Sequence, residues 1–306
     1  MTAAPHAKRH DPAPRYADGW WTAIDGLKLH YRDYPGGADA ENDGRPPILC
    51  IPGLTRNARD FETLAERLSP AWRVICVDLR GRGESPPAAD PASYAPPSYA
   101  LDIGALFVAL GIERAVVFGT SLGGMITMLT ALTTPGRLAG VLLNDIGPVV
   151  DGAGLARIRS YVGKSASWPT WMHAARALAE TQKDIFPRHA IEDWLAMAKR
   201  VCRLTSAGRI VFDYDMRIAE PFREAPDEAP PVDLWPAFEA LAGRPVVVTR
   251  GALSDLLSVA TAQEMARRLP DLDLVTVADI GHAPALDEPD AIVAIDRLLQ
   301  RVSMGR

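Results

Sequence analysis

Val116–Met125 reads VVFGTSLGGM: an apolar, β-favouring run, then glycines, a threonine and a serine, then residues of a helix-forming stretch. Within it, Gly119-Thr120-Ser121-Leu122-Gly123 matches the pattern G-x-S-x-G. A strand that turns this abruptly into a helix forces its central residue into strained backbone geometry, and only small neighbours fit around it. Such a turn lifts the Ser121 hydroxyl to a helix N-terminus, where backbone N–H groups and the helix dipole favour developing negative charge. The alternative is a glycine-rich packing turn, and the five-residue pattern alone does not separate the two. Context does.

Outward from this turn, short apolar runs alternate with amphipathic stretches. PPILCI (46–51), WRVICVDL (72–79), RAVVFG (114–119) and LAGVLLNDIG (138–147) read as buried strands. A helix with Phe61, Leu64, Ala65 and Leu68 on one stripe follows the first, and a second is expected near Ala100–Leu110. Ahead of them, Asp25-Gly26 between WWTAID and LKLHYRDY signals a hairpin. The rhythm breaks near Pro148. LARIRSYV, SWPTWMHAARALAE and AIEDWLAMAKRVCRL read as helices with no clear strand among them, and Pro226, Pro230, Pro231 and Pro236 mark an irregular return. RPVVVTRG (244–251) and LDLVTVADIG (272–281) restore the strands. A last helix opens near Pro289 and carries Ile292, Ile295, Leu298, Leu299 and Val302 on one face. Continuous apolar strands separated by helices predict an α/β fold, a mostly parallel sheet covered on both faces. The expected organisation is a flexible N-terminal tail over 1–17, a core over 18–148 and 241–306, and an inserted helical cap over 149–240.

Length and composition agree with one large globular domain: 306 residues, about half hydrophobic, a formal net charge of -5. That charge, without a basic cluster, predicts no nucleic-acid partner. No apolar run reaches the roughly 18 residues of a membrane span, and the Pro- and Ala-rich start lacks the apolar segment of a secretory signal. Cys50, Cys76 and Cys202 have no metal-ligand spacing, and Cys50 and Cys76, in apolar strand-like runs, are expected as buried thiols. A cytoplasmic protein acting on a small-molecule substrate is the expectation, with homo-oligomer formation left open.

A serine hydroxyl needs a base. Of six histidines, His6 and His10 lie in the tail, His30 in the hairpin, and His173 and His189 in the insertion. His282 follows the last strand in the loop ADIGHAP, at the end of a sheet strand where open α/β sheets gather catalytic groups. The imidazole needs an acidic partner. Asp255 in ALSDLLS and Asp145 in LLNDIGP both follow strands. Asp255 has the more typical loop placement, between serine and histidine in the chain order Ser…Asp…His, and is favoured, which leaves Asp145 as a structural carboxylate near the site or a residue at the root of the cap. Asp78 in VDLRGRGES reads as a loop anchor. The oxyanion of acyl transfer would be held by the backbone N–H of Leu122 and that of Leu54, in the loop Ile51-Pro52-Gly53-Leu54. The glycines of VDLRGRGES do not complete a dinucleotide fingerprint, because Pro86 stands at the third position. No phosphate loop or metal motif appears, so neither cofactor nor metal is expected.

In order, IPGL, VDLRGRGES, GTSLGG, the insertion, RGALSD and GHAPALDEP resemble the α/β-hydrolase superfamily from about Gly19 to the C-terminus. The resemblance implies the α/β-hydrolase fold, an eight-stranded, mostly parallel sheet with a helical cap, and the triad Ser121–Asp255–His282. Many relatives carry His-Gly where this chain has Pro52-Gly53, and the serine speaks against the branches that use a nucleophilic aspartate. The expected activity is that of a serine hydrolase cleaving an ester of a small, largely apolar substrate. Lactonase, carbon–carbon bond hydrolase, perhydrolase and weakly catalytic receptor are the alternatives. Arg56 and the cap residues Trp168, Trp171, Met172 and Trp194 are candidate substrate contacts, although the aromatic set would serve equally to bind the cap to the core.

Overall fold

The computed structural model describes residues 15–37, 44–221 and 233–305. The hairpin signal at Asp25-Gly26 becomes β1 (Ala17–Thr22) and β2 (Lys28–Tyr34), antiparallel, with Thr22 opposite Lys28. Then come β3 (Ile48–Ile51), α1 (Glu62–Leu68), β4 (Val74–Val77), α2 (Pro96–Ala109), β5 (Ala115–Thr120), α3 (Leu122–Thr133) and β6 (Leu138–Asn144). After the insertion the chain returns through α7 (Trp235–Glu239), β10 (Val246–Gly251), α8 (Val259–Arg268), β11 (Asp273–Val277) and α9 (Pro289–Met304). The eight strands of the main sheet lie in the order β1-β2-β4-β3-β5-β6-β10-β11, parallel from β4 to β11.

Successive strand residues face opposite sides, and the core divides accordingly. Leu49, Ile75, Val117, Val141 and Val248 pack under α2, α3 and α8, while Ile48, Cys50, Val74, Val116 and Leu142 pack under α1 and α9. Every residue of β3, β4 and β6 is buried, which is why these strands read as unbroken apolar runs. Cys50 lies opposite Cys76 in the sheet; all three cysteines are free and buried.

The insertion holds α4 (Gly152–Tyr161), α5 (Trp171–Gln182) and α6 (Ile191–Val201), and also a three-stranded sheet absent from the sequence reading: β7 (Ser167–Trp168), β8 (Cys202–Leu204) and β9 (Ile210–Phe212), in the order β7-β9-β8. Strands of two or three residues are too short to display a two-residue period, and β8 continues directly from α6. Helix α7, read from sequence as part of the cap, puts Ala237 and Phe238 into the main core beside α3. The expected tail lies outside the described residues up to residue 14; Tyr16 already packs on Tyr34. Pro226, Pro230 and Pro231 also lie outside them. Among the described residues no helix is long and apolar enough to cross a membrane.

Candidate active site

Ser121 sits between β5 and α3 with φ 52° and ψ −114°, in the positive-φ region that L-residues rarely occupy. The close packing that holds it there explains the glycines. A methyl group on Gly123 would stand 2.0 Å from the Ile51 carbonyl oxygen, and one on Gly119 would stand 2.5 Å from that of Gly123. The end of β3 is thus pressed against the start of α3, and the loop that follows runs beside the serine: a side chain on Gly53 would lie 3.6 Å from the Ser121 Cβ.

The imidazole of His282 joins this hydroxyl to a buried carboxylate. Its Nε2 is 2.9 Å from Ser121 Oγ, and its Nδ1 is 2.7 Å from Oδ2 of Asp145. Asp145, wholly buried, also accepts from the backbone N–H of Gly251 on Oδ1 (2.9 Å) and from the Ser254 hydroxyl on Oδ2 (2.6 Å). A base so held can take the serine proton while the carboxylate fixes its tautomer and stabilises the imidazolium.

The acid beside His282 is therefore Asp145, not the expected Asp255. Thr120 pairs with Asn144 across β5 and β6, so the next residues, Ser121 and Asp145, leave the sheet side by side. Asp255 stands further out in the turn after β10. There Ser254 points inward to Asp145, and Asp255 turns its carboxylate to Arg157 of α4 in a two-pronged ion pair at 2.6 and 2.8 Å. The Arg157 guanidinium holds the Asp255 carboxyl below its usual range.

Asn144 ties the array together. Its Nδ2 donates to Thr120 Oγ1 (3.1 Å) and to the Pro284 carbonyl (2.8 Å), its Oδ1 accepts from the Thr249 hydroxyl (2.9 Å), and its carbonyl accepts from the Ser121 N–H (3.0 Å). The amide N–H groups of Leu54 and Leu122 show no hydrogen bond to an acceptor among the described residues. The Leu54 peptide is steadied from behind by Arg82, a fully buried residue whose Nε donates to the Leu54 carbonyl at 2.9 Å.

Asp78 anchors its loop, as the sequence suggested. Its carboxylate accepts from the N–H groups of Ala58 and Glu84 and meets Nδ1 of His30 at 2.7 Å. Burial opposes the charge on His30, yet the carboxylates of Asp78 and Asp18 outweigh it and raise the imidazole pKa.

A cavity of about 600 Å³ opens over Ser121 and His282, roofed by the insertion. Arg56 and Trp168 line it, in keeping with the sequence reading; Trp171, Met172 and Trp194 are not among its lining residues. Trp194 is buried in the insertion's own core, with its ring centroid 6.1 Å from that of Phe186, Trp171 packs on that core, and Met172 is exposed. A helix stripe containing Trp194, Met197, Ala198 and Val201 announces an apolar face but not what the face covers.

Residues 48–295 match the model of the alpha/beta hydrolase family. The chain belongs to this family. The hydrolase is 36% identical over 281 residues to the 3-hydroxybutyrate-oligomer hydrolase of Cupriavidus necator, covering 90% of this chain and 94% of that protein. It is 27% identical over 242 residues to the 2-(acetamidomethylene)succinate hydrolase of Mesorhizobium japonicum, covering 79% and 83%. The crystal structure of an alpha/beta hydrolase from Novosphingobium aromaticivorans superposes with a TM-score of 0.89 at 54% identity, over 95% of this hydrolase and 100% of that chain.

Sequence reasoning passed over Asn144, Ser254, Arg82 and Arg200. Asn144 carried a faint signal, an amide side chain at the end of an otherwise apolar strand. Arg200 carried another, a cation one position from the buried stripe of α6.

Proposed function

We propose that the protein hydrolyses a carboxylic ester of a small substrate through an acyl-enzyme on Ser121. The observation that carries the reading is the His282 imidazole within hydrogen-bonding distance of both Ser121 Oγ and Asp145 Oδ2. In this reaction Nε2 takes the Ser121 proton as Oγ attacks the ester carbonyl, and the N–H groups of Leu54 and Leu122 hold the oxyanion. His282 then hands its proton to the leaving alcohol. A water molecule, deprotonated by the same nitrogen, cleaves the acyl-enzyme and returns Ser121. Asp145 stays ionised throughout and keeps Nδ1–H pointed at itself.

Two further observations support an ester. The cavity that holds the nucleophile has an apolar part to its lining, with Leu178, Ile185, Phe186 and Met197 among the residues that form it. The Cupriavidus relative is named for an oligomer of a hydroxy acid, a chain joined by ester bonds, and its likeness runs through nearly the whole sequence.

The test is hydrolysis of 4-nitrophenyl butyrate by the wild type and by Ser121→Ala, together with labelling by a fluorophosphonate. The variant should lose about 10⁴–10⁶ in turnover if the three residues act as a unit, and the label should appear on Ser121 alone. Undiminished hydrolysis by the variant, or negligible turnover by the wild type, would overturn the reading.

A further inference from the structure

We propose that the catalytic cavity contains a carboxylate-binding subsite centred on Arg200, and that its ester substrate is an acyloxy carboxylate: a hydroxy acid acylated at its hydroxyl and free at its carboxyl end. The proposal rests on the ester reading above and narrows the substrate from apolar to apolar with one anionic terminus.

Four permanent cations line the cavity, Arg56, Arg157, Lys164 and Arg200, against one carboxylate, Asp60. Two of the cations are committed. Arg56 grips Asp60 through Nε and Nη2 at 2.5 and 2.8 Å, and Arg157 grips Asp255. The guanidinium of Arg200 and the ammonium of Lys164 have no acidic partner among the described residues. Lys164 is exposed, a diffuse source of positive potential at the rim.

Arg200 is different. It is half-buried in the last turn of α6, and its carbonyl accepts from Asn57 Nδ2 at 2.9 Å and from Arg59 Nε at 3.0 Å. Those bonds tether its backbone to the segment just beyond Leu54, the residue whose N–H faces the reacting carbonyl in the proposed mechanism. Arg200 lines the cavity together with His189, an imidazole that burial holds below its usual range; the positive charge of Arg200 pushes the same way, against the carboxylates of Asp193 and Asp287. A guanidinium drawn partly out of water without a counter-charge is poorly solvated, and a planar carboxylate is the ligand that matches its fork of donors. Met197 and Val201, on the same helix as Arg200, also line the cavity and offer apolar contact to a hydrocarbon spacer between ester and carboxylate. In the reaction the bond from carbonyl carbon to alkoxy oxygen breaks, the bond from that carbon to Ser121 Oγ forms, and the alcohol leaves with the His282 proton and with its carboxylate still on Arg200.

The test compares butyrate release from 3-(butyryloxy)butyrate and from its methyl ester, a pair that differs by one methyl group and the negative charge. The wild type should favour the anion at least about tenfold in kcat/KM, as expected for hydrogen bonds to a charged group. Arg200→Gln should erase that preference, chiefly through KM, and Arg200→Lys should retain part of it. In parallel, calorimetry on Ser121→Ala should detect 3-hydroxybutyrate but not methyl 3-hydroxybutyrate, and the added Arg200→Gln change should abolish binding. Equal cleavage of both esters with no Arg200-dependent binding overturns the subsite and leaves the ester reading intact. Arg200-dependent binding without cleavage of either ester upholds the subsite and overturns the ester reading.

Discussion

Replacing Asp145 by asparagine removes one charge and changes almost nothing in shape. The carboxylate it replaces is fully buried and receives three donors: the Gly251 N–H on one oxygen, the Ser254 hydroxyl and His282 Nδ1–H on the other. An amide offers one oxygen only. If it serves Gly251, the amide NH₂ faces His282, whose Nδ1 must then become the acceptor and whose proton moves to Nε2, so that the imidazole can no longer accept from Ser121. If the amide is turned the other way, its NH₂ meets the Gly251 N–H in a buried donor–donor clash. A histidine locked in the wrong tautomer costs about 10⁴ in kcat in the serine-protease triad, equivalent to ~5 kcal/mol of transition-state stabilisation. The matched control is Asp255→Asn. It breaks a partly exposed ion pair with Arg157, an interaction of the kind worth roughly 0.2–1 kcal/mol, and should leave kcat within about fivefold. Steady-state hydrolysis of 4-nitrophenyl butyrate, with circular dichroism to show that both variants fold, measures the contrast. A larger loss in Asp255→Asn than in Asp145→Asn would refute the assignment of Asp145.

Two other outcomes bear on the framework around the site. Gly123→Ala pushes a methyl group to 2.0 Å from the Ile51 carbonyl, backbone that cannot step aside, and should lower the free energy of urea unfolding by roughly 1–3 kcal/mol or more; unchanged stability would show that β3 and α3 are not so closely apposed. The raised pKa of His30 makes a pH prediction. The fold favours the protonated imidazole, so its stabilising effect is complete below the unfolded-state pKa of about 6.5 and fades as pH rises through the higher folded value. The stability gap between wild type and His30→Gln should therefore be wider at about pH 5.5 than at about pH 9, and an equal gap at both would contradict it.

What could be read from sequence, and what could not, divides along a physical line. Ser121 is local: a strand, a turn with room only for glycine, and a helix declare themselves within ten residues. His282 needed only its place after a late strand. The acid was another matter, because Asp145 and Asp255 occupy equivalent positions in the chain and differ in where their strands lie in the sheet. β6 runs beside β5 and brings Asp145 level with Ser121, whereas Asp255 comes from a turn one strand further on. Chain order does not encode that neighbourhood. The insertion hid its secrets differently. Its strands are too short for a periodic signal, and the stripe of Trp194 and Met197 could not say that tryptophan would be consumed by packing while the methionine reached the cavity. Arg200 became conspicuous only once the other two arginines of the cavity, Arg56 and Arg157, were seen to have carboxylate partners.

The bonds of Asn144 have a mechanical consequence. Ser121 and His282 are 161 residues apart in the chain, and His282 rides on a connecting loop, where positional error would ordinarily accumulate. The Asn144 amide fastens the carbonyl of Pro284, two residues past the imidazole, to β6, whose end it also bonds to Thr120 of β5 and Thr249 of β10. The loop thus borrows its rigidity from the sheet, and the spacing between base and nucleophile is set across neighbouring strands rather than along the backbone that separates them. Heat or denaturant should then silence the chemistry only when the central sheet itself gives way.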